Sequence, residues 1–297
     1  MIDHLALLSR RHTIRAMMAT MVAASMSGCA NLIPQSVGLA LTPNPLTDPA
    51  VFNFALNLEY LEAEYYSRAL TGDGLSSDLL GPKPGKVVGG RKVAFNNRYI
   101  AEFVAEIAND ERNHVRFLRR TIRNSPLIEM SRPEIDLEGS FRAAGAAAGL
   151  GDNFDPFADE ESFLLGAFIF EDVGVTAYAG AAKLVSDRAS LEAAAGILAV
   201  EAYHGGLIRG QIGEMGQATI DKANAISAAR DTLDGPTPTE AAIGGGEKII
   251  IAPSDANGLA FHRTPQQVLN VVYLTPEKNK RRGGFFPRGF NGVVLHT

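Results

Sequence analysis

The sequence predicts an all-α fold: a four-helix bundle with long crossover connections, a fifth helix and an irregular C-terminal tail. Apolar residues recur at spacings of three and four, which is typical of helices. Connections rich in Gly and Pro separate these periodic segments and are too long for tight hairpins. Two of the segments each contain one Glu-x-x-His motif. The predicted bundle helices span about residues 48–70, 97–123, 160–184 and 190–215.

Residues 1–35 have the layout of an export signal. Arg10 and Arg11 lie in a positive region, the apolar run 16–26 is too short to span a bilayer, and Cys29 follows two small residues. The paired arginines resemble a twin-arginine signal, and the residues before Cys29 resemble a lipobox. We therefore expect an exported protein of the periplasm or cell envelope.

Two alternatives stay open for Cys29. It is either a lipidated first mature residue, which would tether the chain to a membrane, or a thiol that leaves with the cleaved peptide. For the whole segment the alternative to export is a disordered N-terminal helix.

Capping signals place the helices along the chain. Thr47 or Asp48 is the predicted N-cap of the first helix, and the second helix begins near Asn97. A long connection at 124–159 contains three prolines and separates the two helical hairpins. After the fourth helix, an Ala-rich fifth helix covers about 219–233.

The last part of the chain is predicted as a C-terminal extension, 236–297, of one domain that covers residues 36–297. It holds a strand candidate at 249–251 and a small helix near 264–274, and the aromatic pair at 285–286 is expected to pack as a flap.

Cysteine and charge exclude several classes of protein. The single cysteine excludes a disulfide framework, a Cys-based zinc site and a Cys-ligated iron–sulfur cluster. With 28 Lys+Arg against 33 Asp+Glu, the chain has no basic excess to attract nucleic acid. A metal, if bound, must be held by oxygen and imidazole ligands.

Two histidines lie within predicted helices, and each follows a glutamate by three residues. The pairs are Glu111 with His114 and Glu201 with His204. Residues at i and i+3 are neighbours on a helix surface, so both side chains can reach one ion. The alternative is a surface ion pair. Two such pairs on two separate helices favour metal ligation.

The other two bundle helices should each supply one inward glutamate, as in dinuclear carboxylate sites. Glu171 stands in an apolar run, where burial of a carboxylate is costly without a cation. Glu59 matches it, because Tyr66 and Tyr178 follow the two glutamates at the same distance. Glu62 has no counterpart in this pseudo-repeat, so it is either a supplementary ligand or an acceptor beside the ligands.

The pattern Glu, Glu-x-x-His, Glu, Glu-x-x-His resembles the ferritin-like superfamily. Its further motifs are most similar to the desiccation-related ferritin-like proteins of plants and bacteria. The likeness covers roughly residues 48–297 and is carried by the stretches NLEYLE (57–62), DERNHVRFL (110–118), FEDVGVTAYAG (170–180), AVEAYHGGLIR (199–209) and GGFFP (283–287). It implies a dinuclear iron or manganese site, but no substrate.

The leading hypothesis is a dinuclear metal protein, with two Fe or Mn ions, that reacts with peroxide or dioxygen in stress protection. Tyr66 and Tyr178 would bond to the ligands or carry an electron; the alternative is a core role for both. The second hypothesis is a non-catalytic desiccation or stress protein with a structural metal, and the third is an iron store. A homo-oligomer is compatible with each.

Overall fold

Eight α-helices account for most of the described residues, and four of them form the bundle. The computed structural model describes residues 47–123, 125, 130–246 and 248–297, so the predicted export signal and Cys29 lie outside the described residues. The bundle helices are α1 (Asp48–Thr71), α3 (Arg98–Ile122), α5 (Glu160–Ala181) and α6 (Arg188–Glu214). Their type and order confirm the predicted all-α fold class.

Shorter elements fill the connections and the tail. In chain order they are α2 (Ser77–Leu80), β1 (Val87–Val88), β2 (Ile135–Asp136), α4 (Gly139–Ala147), a 3₁₀ turn (Ala182–Leu184), α7 (Gln217–Asp234), β3 (Gly244–Gly245), β4 (Lys248–Ile249) and α8 (Pro265–Val272). β1 pairs with β2 in parallel, and β3 pairs with β4 antiparallel. The parallel pair ties the two long connections together.

Local signals explain where the bundle helices begin and end. The Asn97 side chain accepts hydrogen bonds from the backbone N–H groups of Tyr99 and Ile100, which would otherwise lack partners at the start of α3. α1 ends at Gly72, which adopts φ +87°, a conformation that only glycine adopts without cost. These ends lie within a residue or two of the predicted ones.

The four helices pair as two hairpins. α1 packs mainly on α3 and α5 packs mainly on α6, while α1 and α5 join the two hairpins. α3 and α6 do not pack closely against each other, and an open groove lies between them. The stretch Glu160–Leu184, which contains α5, is long and apolar enough to cross a membrane by length and composition alone, but 89% of its 18-residue apolar window is buried within the protein. α5 is the central helix of the core.

The C-terminal extension covers the α1–α5 side of the bundle. α8 packs against α5 and α7, and the rings of Phe285 and Phe286 are fully buried, as the predicted flap requires. The strand predicted at 249–251 is shorter and starts earlier, at Lys248, because its partner β3 has only two residues.

A buried network of charges fixes the extension to α5. Asp172 accepts hydrogen bonds from Arg209 at 2.8 and 3.0 Å and from Arg230 at 3.1 Å. Glu240, in the extension, pairs with Arg230 at 2.9 Å and with Arg263 at 3.0 Å. Asp172 therefore faces two buried arginines and does not face the histidines.

Candidate metal centre

The bundle brings the side chains singled out in the sequence to one buried cluster. α1 supplies Glu59 and Glu62, α3 and α6 each supply a glutamate and a histidine, and α5 supplies Glu171. Every glutamate of this set is at most 4% exposed, and both histidines are less than 9% exposed. The residues are Glu59, Glu62, Glu111, His114, Glu171, Glu201 and His204.

One group of potential ligands surrounds His114. Its Nδ1 lies 3.1 Å from Glu59 Oε2 and 3.4 Å from Glu201 Oε1, and Glu111 Oε2 is 3.7 Å away. One atom from each of these four side chains lies within 4.8 Å of the others. This is the spacing that one metal ion requires of its ligands.

A second group surrounds His204. Its Nδ1 lies 3.1 Å from Glu111 Oε1 and 3.6 Å from Glu171 Oε2. Glu111 therefore belongs to both groups, with one oxygen toward each histidine. The two imidazole centres are 6.3 Å apart. A shared carboxylate between two such groups is the arrangement expected of a dinuclear site.

Tyr66 and Tyr178 cross between the hairpins. Tyr66 on α1 donates a hydrogen bond to Glu171 Oε1 on α5, and Tyr178 on α5 donates to Glu59 Oε1 on α1. Burial raises the pKa of both phenols well above the ordinary value, so both remain donors. Each tyrosine thus occupies one oxygen of a glutamate and leaves the other oxygen facing a histidine.

Glu62 lies beside the two groups without belonging to either. A Cβ atom added to Gly174 on α5 would collide with Glu201 Oε2 and come within 3.4 Å of Glu62 Oε1. Gly174 therefore makes room for two carboxylates. Since Gly174 occupies the position equivalent to Glu62 in the pseudo-repeat, the extra acid and the missing side chain complement each other. That Glu62 is a ligand stays a prediction.

The cluster contains more buried negative charge than its protein neighbours neutralise. Within the described residues, buried oxygens of Glu111, Glu171 and Glu201 and the Nδ1 atom of His204 have no hydrogen-bond partner. Arginines pair with the neighbouring acids Glu64 and Asp172, but none pairs with the clustered glutamates in the part of the chain that is described. Unpaired buried carboxylates cost several kcal/mol each, at about the level that a bound cation offsets.

The same excess of buried negative charge raises the pKa values of most of the clustered glutamates. Burial, and then repulsion from Glu59, raises the pKa of Glu111 to about 8; burial and repulsion from Glu111 raise that of Glu201 to about 7. Burial also raises the pKa of Glu62 and Glu171 well above the ordinary value. Without a cation, these carboxylates cannot all be ionised at neutral pH. The donor set therefore fits one or two hard divalent ions.

Sequence reasoning did not single out two arginines that support the cluster. Arg209, eight residues after Glu201, grips Asp172, which directly follows Glu171. Arg119, eight residues after Glu111, donates at 2.6 Å to the hydroxyl of Tyr60, which directly follows Glu59. The available signal was an arginine eight residues after the glutamate of each Glu-x-x-His motif; in the structure Arg209 is fully buried and Arg119 is half-buried.

Comparison with known proteins gives the same family. A family model described as "Ferritin-like domain" matches residues 47–214, the stretch that holds all four bundle helices. The desiccation-related protein PCC13-62 of Craterostigma plantagineum is 32% identical over 248 residues, 76% of this chain and 77% of that protein. The ferritin-like catalase Nec2 of Nesocodon mauritianus is 28% identical over 270 residues, 83% of this chain and 84% of that protein. No solved structure matches.

The family match spans more than half of the chain, and the first of these relatives is similar over three quarters of it. The chain therefore belongs to the ferritin-like domain family.

Proposed function

We propose that this protein is a dinuclear iron or manganese protein that consumes peroxide. The observation that carries the proposal is the set of buried carboxylate oxygens without partners around two histidines, with Glu111 shared between them. Similarity to a protein named as a ferritin-like catalase favours peroxide over dioxygen as the oxidant.

Glu59, Glu111, His114 and Glu201 would hold one ion, and Glu111, Glu171 and His204 the other. Two Fe or Mn ions bound there would supply a redox pair that exchanges electrons with a small oxidant. The glutamates would neutralise the charge of the ions, and neutral imidazoles would coordinate them without adding charge.

The chain's own residues position and shield this site. Tyr66 and Tyr178 fix the rotation of Glu171 and Glu59, so that one oxygen of each faces the cluster. Apolar side chains of α1 and α5 exclude water from the opposite side. The groove between α3 and α6 has His204 in its lining, which gives a small oxidant a path to the cluster.

The test is elemental analysis of the purified protein together with a peroxide-consumption assay. We expect about two Fe or Mn per chain and oxygen release from peroxide. A Glu111→Gln variant, which keeps the side-chain size but loses the shared charge, should lose both metal and activity. A Glu192→Gln variant, altered at an exposed site on α6, is the matched control. A wild-type protein without Fe or Mn would contradict the proposal.

A structural role for the metal is the second candidate, favoured by similarity to a protein named as desiccation-related. In that case the metal would stabilise the bundle without turnover. Metal-replete protein that melts at a higher temperature than the stripped protein, yet leaves peroxide unconsumed, would select this role.

We also propose that the protein is exported and acts in the cell envelope, since its first residues resemble an export signal. Cell fractionation of a tagged full-length chain tests this. A Cys29→Ala variant then separates a lipid tether from a soluble exported form: release from the membrane fraction supports the tether. Retention of the full-length chain in the cytoplasm would contradict export.

A further inference from the structure

The groove between α3 and α6 reaches the buried cluster at one histidine. It has a volume of about 960 Å³ and contains His204 in its lining. The imidazole of His204 stands between the groove and the cluster, with Nε2 3.5 Å from Asp110 Oδ2 and with Nδ1 toward Glu111 and Glu171. Of the cluster residues, His204 is the one that lines the groove, so it is the first potential ligand that a solute in the groove would reach.

One wall of this groove is acidic. Glu102, Glu106 and Asp110 follow one another along α3 at intervals of four residues, so they lie on one face of the helix, and all three line the groove. Glu102 pairs with Arg98 at 2.7 Å. Glu106 has no ion pair among the described residues, and Asp110 makes its contact with His204. Carboxylates without a Lys or Arg partner among the described residues, Glu106 and Asp110, therefore line the groove as far as His204.

The acidic wall breaks the pseudo-symmetry of the bundle. The shift that superposes Glu111 on Glu201 and His114 on His204 places Glu106 opposite Gly196 and Asp110 opposite Val200. The α6 wall therefore lacks the two acids that the α3 wall carries. This asymmetry does not follow from the ligand pattern, which is the same in both hairpins.

We propose that this groove is the route by which a divalent cation reaches the cluster, with Glu106 and Asp110 as transient ligands and His204 as the first permanent one. Carboxylate oxygens suit hydrated Mn²⁺ and Fe²⁺, and an acidic cleft with apolar walls raises the local concentration of cations. The unpartnered atoms of the cluster, including His204 Nδ1, provide the destination. This inference rests on the proposed metal site.

The experiment measures metal uptake, which is independent of turnover. The full chain is stripped with a chelator and mixed with Mn²⁺, and the decay of the electron paramagnetic resonance signal of free Mn²⁺ gives the rate of uptake. Elemental analysis at equilibrium gives the final content. The variant is Glu106→Gln with Asp110→Asn, and the control is Glu192→Gln, the counterpart of Glu102 on α6. Circular dichroism verifies the fold of each.

We expect the double variant to load about tenfold more slowly than wild type, because it loses the attraction of two charges. Its final Mn content should equal that of wild type, and its rate should depend less on salt. The control should load at the wild-type rate.

Three results would overturn the route. They are a double variant that loads within a factor of two of wild type, an equal slowing in the control, and a lower final metal content in the double variant. The last would make the two acids part of the site itself. A wild-type chain that takes up no metal would instead overturn the proposed function, and this inference with it.

Discussion

Tyr66 and Tyr178 show how single side chains prepare the cluster. Each donates to a glutamate of the other hairpin and leaves that glutamate one oxygen for a cation. A carboxylate that is held in this way does not need to reorient when an ion arrives. The sequence placed both tyrosines seven residues after a glutamate, but each bonds to the glutamate of the other helix, so the contact depends on packing and could not be predicted from spacing.

Removing one of these hydroxyl groups should cost stability without removing the metal site. We expect Tyr66→Phe to lower the free energy of unfolding by about 1–3 kcal/mol, because Glu171 loses a hydrogen bond in a buried place. Chemical denaturation measures this. Tyr203→Phe is the control, since Tyr203 is 76% exposed. If both variants unfold alike, the bond between Tyr66 and Glu171 contributes no stability.

At the scale of the element, α5 shows why a glycine can be a functional residue. Gly174 faces two carboxylates in the middle of a helix whose residues are mostly apolar. Helix propensity alone disfavours glycine there by about 1 kcal/mol relative to alanine. The space that it leaves for Glu62 and Glu201 offsets this cost.

Gly174→Ala should therefore lower metal content, since the added methyl group would displace Glu201. Gly196→Ala is the matched change on α6, where an added Cβ meets nothing within 4 Å. That control should raise the free energy of unfolding by about 0.5–1 kcal/mol, as expected for an exposed helical glycine. Elemental analysis and denaturation distinguish the two variants, and an unchanged metal content in Gly174→Ala would contradict the argument.

The helices themselves could be predicted well because their signals are local. Apolar spacing, the Asn97 cap and the glycine after α1 all act within a few residues of the chain. β1 and β2 were not predicted, since each has two residues and pairs with a partner that lies far away in sequence. The sequence named the potential ligands, but its pairing of Glu201 with His204 on one ion is wrong, because in the structure Glu201 belongs to the group around His114. That Glu201 lies nearer to His114 than the repeat implies is decided by how the hairpins meet.

At the scale of the whole molecule, buried ion pairs hold the extension onto the bundle. Glu240 neutralises Arg230 and Arg263, both at most 3% exposed. The sequence could not predict these ion pairs, because the charged side chains lie in Ala-rich and irregular segments and their partners lie on α5 and in the extension.

Breaking that network should be costly. We expect Glu240→Ala to lower the free energy of unfolding by about 3–5 kcal/mol, because two buried arginines lose a partner. Glu277→Ala removes an exposed pair with Lys280 and should cost less than about 1 kcal/mol. Denaturation curves of both variants test this, and a small effect of Glu240→Ala would mean that the extension is held by its aromatic contacts alone.

Metal removal should act on the molecule as a whole. A cation that binds the folded chain at a concentration one hundred times its Kd adds about 2.7 kcal/mol. For a domain of this size, stripping the metal should lower Tm by about 5–10 °C. Glu111→Gln should melt at the same temperature with and without added Mn²⁺. A wild-type Tm that does not respond to metal would show that the cluster binds none.

The crossed bonds between Tyr66 and Glu171 and between Tyr178 and Glu59 also bear on how the chain is organised. Each hairpin carries a donor that only the other hairpin can use, as the two subunits of an isologous dimer do. A hairpin made alone would leave both its tyrosine and its glutamate without their partners. The bundle is therefore arranged like a symmetric dimer whose two subunits are joined in one polypeptide. The connection between the hairpins keeps them in a one-to-one ratio.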